Sequence, residues 1–355
     1  MSHLWLRAEI RPFERRSLLL PEHAGLLVKS GHTVSVERSA QRIFSDEEYE
    51  KNGCKMVPSG TWPSAPKDAY ILGIKELPSE TFPLRHKHLY FAHVYKKQKG
   101  AEAILKRFQR GKGVLLDLEY LLDFKNTQLV TQAAGFWAGI SGATATLLIW
   151  GQKKLGAEPP FVIPEYYSNF KHAIKDLKKM LIKTGSPRVL IIGAKGMTGS
   201  GTRKLLDKIK IKYTDWTRAN TQSPGPFLEI LNFEILFNCV MVAEDTPQFL
   251  TNESLAKNKK LSLIGDISCD PISPYNPLPL YNSPTTFAQP TVRVMAANNP
   301  VDIMAIDNIT SLLPKESSCY CGCLFNWQIL CASFYWAWLS MYSCRHPTKA
   351  TRCYC

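Results

Sequence analysis

Residues 188–209 read RVLIIGAKGMTGSGTRKLLDKI, a short apolar run into four glycines, Gly193, Gly196, Gly199 and Gly201, followed by a helical pattern. Strand, glycine-rich turn and helix in that order form the fingerprint of a dinucleotide-binding unit. The first glycine lets the chain turn tightly and the second lets the backbone approach a pyrophosphate. The third permits close helix-strand packing, with the phosphate against the helix N-terminus. Set between strand and helix, the glycines favour a ligand site over a plain glycine-rich connection. An acid that bonds the ribose is due about 20 residues further on, and Asp215 fits that distance. Thr217 and Arg218 follow it, and an Arg near this position could instead accommodate the 2′-phosphate of NADP. NAD and NADP both stay open at this point.

Outward from the glycine loop, residues 3–9, 33–37, 69–73, 88–92 and 113–118 are short apolar or β-branched runs. Helical patterns open near Pro21 and span residues 100–110. Such alternation predicts an α/β protein with a parallel sheet covered by helices on both faces, where ligands bind beyond the carboxyl ends of the strands. Residues 135–155 (GFWAGISGATATLLIWGQKKL) predict a buried helix whose small residues let another backbone come close, joining two domains. Pro159, Pro160 and Pro164 mark a surface segment, and residues 170–184 predict a Lys-rich amphipathic helix with a solvated charged face.

The chain has 355 residues, 45% of them hydrophobic, and 44 Lys and Arg against 30 Asp and Glu give it a formal charge of +14. This composition excludes a collagen, a disulfide-rich miniprotein and a disordered tail, and at about 150 residues per domain it predicts two domains. The charge admits anionic partners, including nucleic acid, nucleotide cofactors and carboxylate substrates. The lysines are spread along the chain rather than gathered with aromatics into a stripe, which argues against nucleic acid. The first 16 residues mix five Arg or His with two Glu and build no apolar run of signal-peptide length. The expected compartment is the cytoplasm, with the peroxisome as the alternative.

Seven of the ten cysteines, from Cys319 to Cys355, lie in the last 37 residues, and residues 317–344 carry no charge. Polar residues dilute that run, so a membrane span is not expected. The abrupt change reads as an alternative exon, a retained intron or a frameshift. The Cys-x-Cys pairs lack the spacing of a zinc site, and no metal is expected. Cys54, Cys239 and Cys269 stand isolated upstream.

Lys75 follows one strand (AYILGIKELP) and His93 follows the next (HLYFAHVYK), so a parallel sheet brings both bases to one crevice. An apolar crevice disfavours an ammonium and would fit Lys75 to take a proton, while a histidine such as His93 can serve as acid or base. Glu76, and Glu119 in GVLLDLEYL, could temper those shifts.

In order along the chain, RAEIRPFERRSLLLP, GIKELP, FAHVYKKQKG, GFWAG, IIGAKGMTGSG, GPFLEI, NPLPLY and IDNITSLLPKES resemble saccharopine dehydrogenase (NAD+, L-lysine-forming) over residues 4–318. That family lies in the alanine dehydrogenase and transhydrogenase superfamily, whose N-terminal segment is similar to LLLPEHAGLLVKSGHTVSVE. The resemblance implies two Rossmann-like domains with parallel sheets and the active site in the cleft between them. A catalytic domain would cover residues 1–130 and an NAD-binding domain residues 131–311, with residues 312–355 returning to the first.

It also implies oxidation of saccharopine by NAD+ to an imine, then hydrolysis to L-lysine and 2-oxoglutarate, by a monomer acting on small molecules. Lys75 would be the base, His93 the acid-base group of the hydrolytic steps, and Glu76 and Glu119 their modulators. Arg16 and Phe136, with Lys75, would bind substrate. Gly193, Gly196, Met197, Gly199, Gly201, Asp215, Thr217, Thr221, Ile267, Ile306, Asp307, Asn308 and Ile309 would bind the cofactor.

The sequence departs from the family pattern in four places. NTQLVTQAAG has no Arg where the family binds substrate before GFxAG; Thr217 stands where the ribose-binding Asp is due; Thr198 replaces a cysteine, leaving Cys239 without a disulfide partner; and the match ends near Ser318. An inactive relative with an altered C-terminus and an alanine dehydrogenase-like enzyme are the alternatives these leave open.

Overall fold

Short β-branched and leucine-rich runs, such as TVSVE at Thr33–Glu37 and VLII at Val189–Ile192, form the strands of a computed structural model. It describes residues 1–94, 100–121, 131–257, 259–294 and 300–321, with the side chains of 131–133 and 319–321 left aside. The strands are β1 (His3–Leu6), β2 (Thr33–Glu37), β3 (Lys55–Val57), β4 (Tyr70–Leu72), β5 (Lys87–Tyr90), β6 (Val114–Asp117), β7 (Val189–Ile192), β8 (Tyr213–Trp216), β9 (Ile235–Asn238), β10 (Leu263–Asp266), β11 (Val292–Val294) and β12 (Val301–Met304). The helices are α1 (Pro21–Lys29), α2 (Asp46–Lys51), α3 (Ala101–Gly111), α4 (Thr131–Lys154), α5 (Phe170–Thr184), α6 (Met197–Ile209), α7 (Asn252–Leu255) and α8 (Pro314–Cys321).

Two six-stranded sheets result, ordered β3-β2-β1-β4-β5-β6 and β11-β12-β10-β9-β7-β8. All pairs are parallel except β11 with β12. This is the expected α/β architecture. In the first sheet the order reverses at β1, between β2 and β4; in the second it reverses at β7, between β8 and β9. At such switch points the crossovers leave in opposite directions and open a crevice beyond the strand ends.

The expected elements recur with small shifts. The strand expected over residues 3–9 ends at Leu6, since the chain beyond it turns into the polar segment that builds the site. The apolar helix begins at Thr131, ahead of residue 135. Proline at the first position starts α1, and a Ser45/Glu48 capping box starts α2.

Helix α4 is buried through Ala143, Ala145 and Leu147, all with no exposed surface, in one core with α5, α6 and β10. Its glycines are what allow this: a Cβ on Gly139 would sit 2.0 Å from Thr198 O, and one on Gly142 would meet Ile267 at 2.7 Å. The first sheet buries its own core, including Leu4, Leu18, Val36, Leu72 and Leu118, each fully buried leucine stabilising the fold by roughly 1.5–3 kcal/mol.

The C-terminal segment comes back to the first half. Ser318 Oγ accepts the Ser17 N–H at 2.9 Å, and Ser311 Oγ donates to Glu14 at 2.9 Å. The cysteine-rich run beyond residue 321 and the NTQLV stretch lie outside the described residues. No described helix is long and apolar enough to cross a membrane.

Candidate active site

Strands β1, β4, β5 and β6 end side by side, so parallel register carries Arg7, Lys75, His93 and Glu119 to the same rim. The chain holds these loops by charge. Glu9, with its side chain largely covered, accepts the N–H groups of Ile74 at 2.6 Å and Lys75 at 3.0 Å, while the Arg7 guanidinium donates to the Lys75 carbonyl. Asp117 Oδ1, at the end of β6, accepts from Ala92 N at 3.4 Å and Glu119 N at 3.1 Å, tying together the loops of His93 and Glu119.

Lys75 Nζ is nearly buried and stands 4.0 Å from Asp307 Oδ1, which arrives from the segment after β12. Burial pushes the Lys75 ammonium below its ordinary pKa; Asp307 opposes this, Arg16 adds to it, and Glu14 opposes it. Burial would raise Asp307, but Lys75 and Arg11 outweigh it and hold the carboxylate below its usual range. Arg11 bridges Asp307 at 2.5 Å and Glu76 at 3.2 Å.

His93 stands beside them, its Nδ1 3.0 Å from Glu119 Oε2. A carboxylate at Nδ1 selects the tautomer with its proton there and leaves the Nε2 lone pair outward. Its φ of 53° is in the left-handed region. Such a conformation costs about 1–3 kcal/mol and is held where surroundings over-determine it.

Three of the expected site residues have protein partners. Arg16 was expected to clasp a substrate carboxylate, but its Nε and Nη2 each donate at 2.7 Å to fully buried Glu14, because an unpaired carboxylate there would be costly. Glu76 was expected to temper Lys75, yet it is half exposed and salt-bridged to Arg11. Asp307 was expected at the cofactor, and its carboxylate pairs with Lys75 and Arg11. Arg11, Glu14, Glu9 and Asp117 escaped the sequence reading, although the charge density of RAEIRPFERR directly after a strand was a signal for the first three.

The second half holds the glycine loop. Gly193 has φ of 83°, and a Cβ there would lie 2.7 Å from Cys239 O. Gly196 caps α6, and its nearest neighbour to a Cβ would be Gly193 O at 3.3 Å, leaving its backbone approachable. The other two glycines face protein. A Cβ on Gly199 would meet Gly193 O at 2.3 Å, and one on Gly201 would meet Phe136 O at 1.9 Å, so they bring α6 onto the loop and onto α4.

Beside the loop lies a cavity of about 540 Å³, lined among others by Gly193, Gly196, Thr217, Arg218, Thr221 and Asp245. An approachable glycine turn at a helix start beside a cavity of this size fits a dinucleotide. Asp215 is not part of its wall; its Oδ2 is 3.4 Å from Arg203 Nε on α6. Met197 is exposed, and Phe136 packs edge-on against Trp137. Ile267, Ile306 and Ile309 bury their side chains in the core of the second half, and Asn308 Nδ2 donates to Pro12 O at 3.3 Å. Cys239 is a buried free thiol, 3.5 Å from Thr202 Oγ1, pushed up to about 12 by burial.

A family model for the alanine dehydrogenase/PNT N-terminal domain matches residues 5–140. A saccharopine dehydrogenase (NAD+, L-lysine-forming) of Schizosaccharomyces pombe is 42% identical over 329 residues, 89% of each chain. That of Emericella nidulans is 43% identical over 333 residues, 89% of this chain and 88% of its own. The chain belongs to the saccharopine dehydrogenase (NAD+, L-lysine-forming) family. A solved L-alanine dehydrogenase shares the saccharopine dehydrogenase fold seen here, with a TM-score of 0.67 at 15% identity, covering 92% of this chain and 89% of that one.

Proposed function

We propose that this chain is an oxidoreductase of lysine biosynthesis that converts saccharopine, NAD+ and water to L-lysine, 2-oxoglutarate and NADH. The observation that carries this reading is the convergence of Lys75, Asp307 and the His93–Glu119 pair at one strand-end rim in a chain of this family. When bound, NAD+ would supply the hydride acceptor, and Gly193 and Gly196 would hold its pyrophosphate.

Lys75 Nζ, made less basic by burial, takes the proton of the secondary amine as its C–H bond is oxidised to an imine. His93 Nε2 then takes a proton from the water that adds to the imine carbon and manages the proton transfers by which the carbinolamine collapses. Glu119 holds the imidazole through Nδ1. Arg16, whose planar fork suits a substrate carboxylate, is the proposed carboxylate-binding residue; Arg11 at the same rim is itself paired with Asp307 and Glu76 and has no better claim to the role. Residues 1–130 form the catalytic domain and residues 131–311 the NAD-binding one. The protein acts as a cytoplasmic monomer.

An impaired relative is the second reading, favoured by Arg16 being engaged with Glu14 and by Thr217 at the nucleotide cavity. The test is formation of reduced nicotinamide by the purified chain with saccharopine and NAD+, with L-alanine as the competing substrate. Turnover of saccharopine that is lost in a Lys75→Met, His93→Gln double variant supports the proposal. Turnover of alanine alone, or none from folded protein, overturns it.

A further inference from the structure

The nucleotide cavity carries an unusual rim for an NAD site. In a dinucleotide unit, the end of the strand after the glycine-loop helix reads the adenosine ribose. A carboxylate there bonds the 2′-hydroxyl and repels a 2′-phosphate, whereas an arginine accepts the phosphate. Here that strand is β8, and the residues it delivers to the cavity wall are Thr217 and Arg218. The one acid of the strand, Asp215, faces away toward Arg203 on α6.

We infer that Arg218 is the residue that recognises a 2′-phosphate, so that the chain binds NADP(H) as well as NAD(H). The inference rests on the dinucleotide reading of this cavity. Thr217 is held in place by Asn220 Oδ1, which accepts its N–H at 2.9 Å and its hydroxyl at 3.4 Å. Arg218 is free to reorient: its side chain is 82% exposed and that of its ion-pair partner Asp245 is 60% exposed. Asp245 comes from a separate stretch of chain that also lines the cavity.

Exposed ion pairs of this kind contribute little. A phosphate dianion offers the guanidinium fork three acceptor oxygens and a larger charge than the single Asp245 carboxylate. The ion pair therefore serves as a resting partner for Arg218 until a phosphate displaces it. Asp245 is also the one acid of the wall, and it limits how tightly that phosphate binds.

The test is equilibrium binding to the full chain, followed by nucleotide fluorescence or calorimetry, with NADH, NADPH, 5′-AMP and 2′,5′-ADP as probes. The expected result is NADPH affinity within about tenfold of NADH, and 2′,5′-ADP bound more tightly than 5′-AMP. Arg218→Gln, a change at an exposed side chain, should weaken NADPH at least tenfold more than NADH. Asp245→Asn should strengthen NADPH, and Thr217→Asp should restore preference for NADH. NADH binding with NADPH at least a hundredfold weaker overturns the inference while leaving the cavity a dinucleotide site. NADPH binding indifferent to Arg218→Gln overturns the role of Arg218. Failure of both dinucleotides overturns the inference together with the reading of the cavity.

Discussion

Lys75 Nζ, from the end of β4 in the first sheet, lies 4.0 Å from Asp307 Oδ1, from the segment after β12 in the second. This contact joins the proposed base to the half that carries the glycine loop. Since Asp307 favours the ammonium form of Lys75, its removal lowers the lysine pKa further. Asp307→Ala should move the acidic limb of the kcat/KM profile for saccharopine oxidation to lower pH by about 1 unit. An unmoved limb would separate Asp307 from the titration of Lys75.

The His93–Glu119 contact at 3.0 Å predicts unequal losses. His93→Gln removes the acid-base group and should lower kcat by about 10²–10⁴-fold. Glu119→Gln leaves the imidazole in place but loses a charge-assisted bond worth about 1.5–3 kcal/mol, so kcat should fall by at least about tenfold. Steady-state rates for both variants check the order; equal losses would make Glu119 more than an orienting group.

Two glycines of one loop predict opposite phenotypes. Gly201→Ala drives a methyl to 1.9 Å from Phe136 O and should destabilise the protein by about 1–3 kcal/mol, lowering Tm by roughly 2–12 °C in a calorimetric scan. Gly196→Ala meets Gly193 O at 3.3 Å, a contact relieved by a shift of a few tenths of an ångström, so Tm should fall less than in Gly201→Ala while NADH affinity falls. An equal loss of Tm in the second variant would make Gly196 a packing residue too.

Acid stability should depend on His88. It is fully buried between Trp62 and Phe108, and neither ring nitrogen has a hydrogen-bond partner among the described residues. Burial lowers its pKa from 6.5 to about 3, so the unfolded chain binds the proton first. The stability this represents, on the order of 4 kcal/mol, is present above pH 6.5 and is lost as pH falls toward about 3. His88→Leu should flatten the denaturation free energy over that interval, measured by urea titration at several pH values. An unchanged slope would assign the acid lability to other groups.

The glycine loop was legible because its chemistry is local. Gly193 must turn and Gly196 must stay open within one strand-turn-helix unit, and nothing distant alters that requirement. Lys75 and His93 were legible for a similar reason: residues that directly follow neighbouring parallel strands share a rim whatever the rest of the fold does. Arg16 was read as a substrate residue, and its pairing with Glu14, two residues away, was not legible, because adjacency in sequence does not say whether two side chains turn toward each other.

By itself, the sequence determined the α/β class, the glycine turn between strand and helix, and the strand-end positions of Lys75 and His93, since hydrophobic period and glycine spacing act within a dozen residues. Tertiary structure alone decided which charges meet. Asp307 reaches Lys75, Asp215 pairs with Arg203, and Arg218 pairs with Asp245 at the wall of the cavity beside the glycine loop. The physical reason is that ion pairs depend on distance in space, and sequence separation carries no information about it until the sheets are assembled.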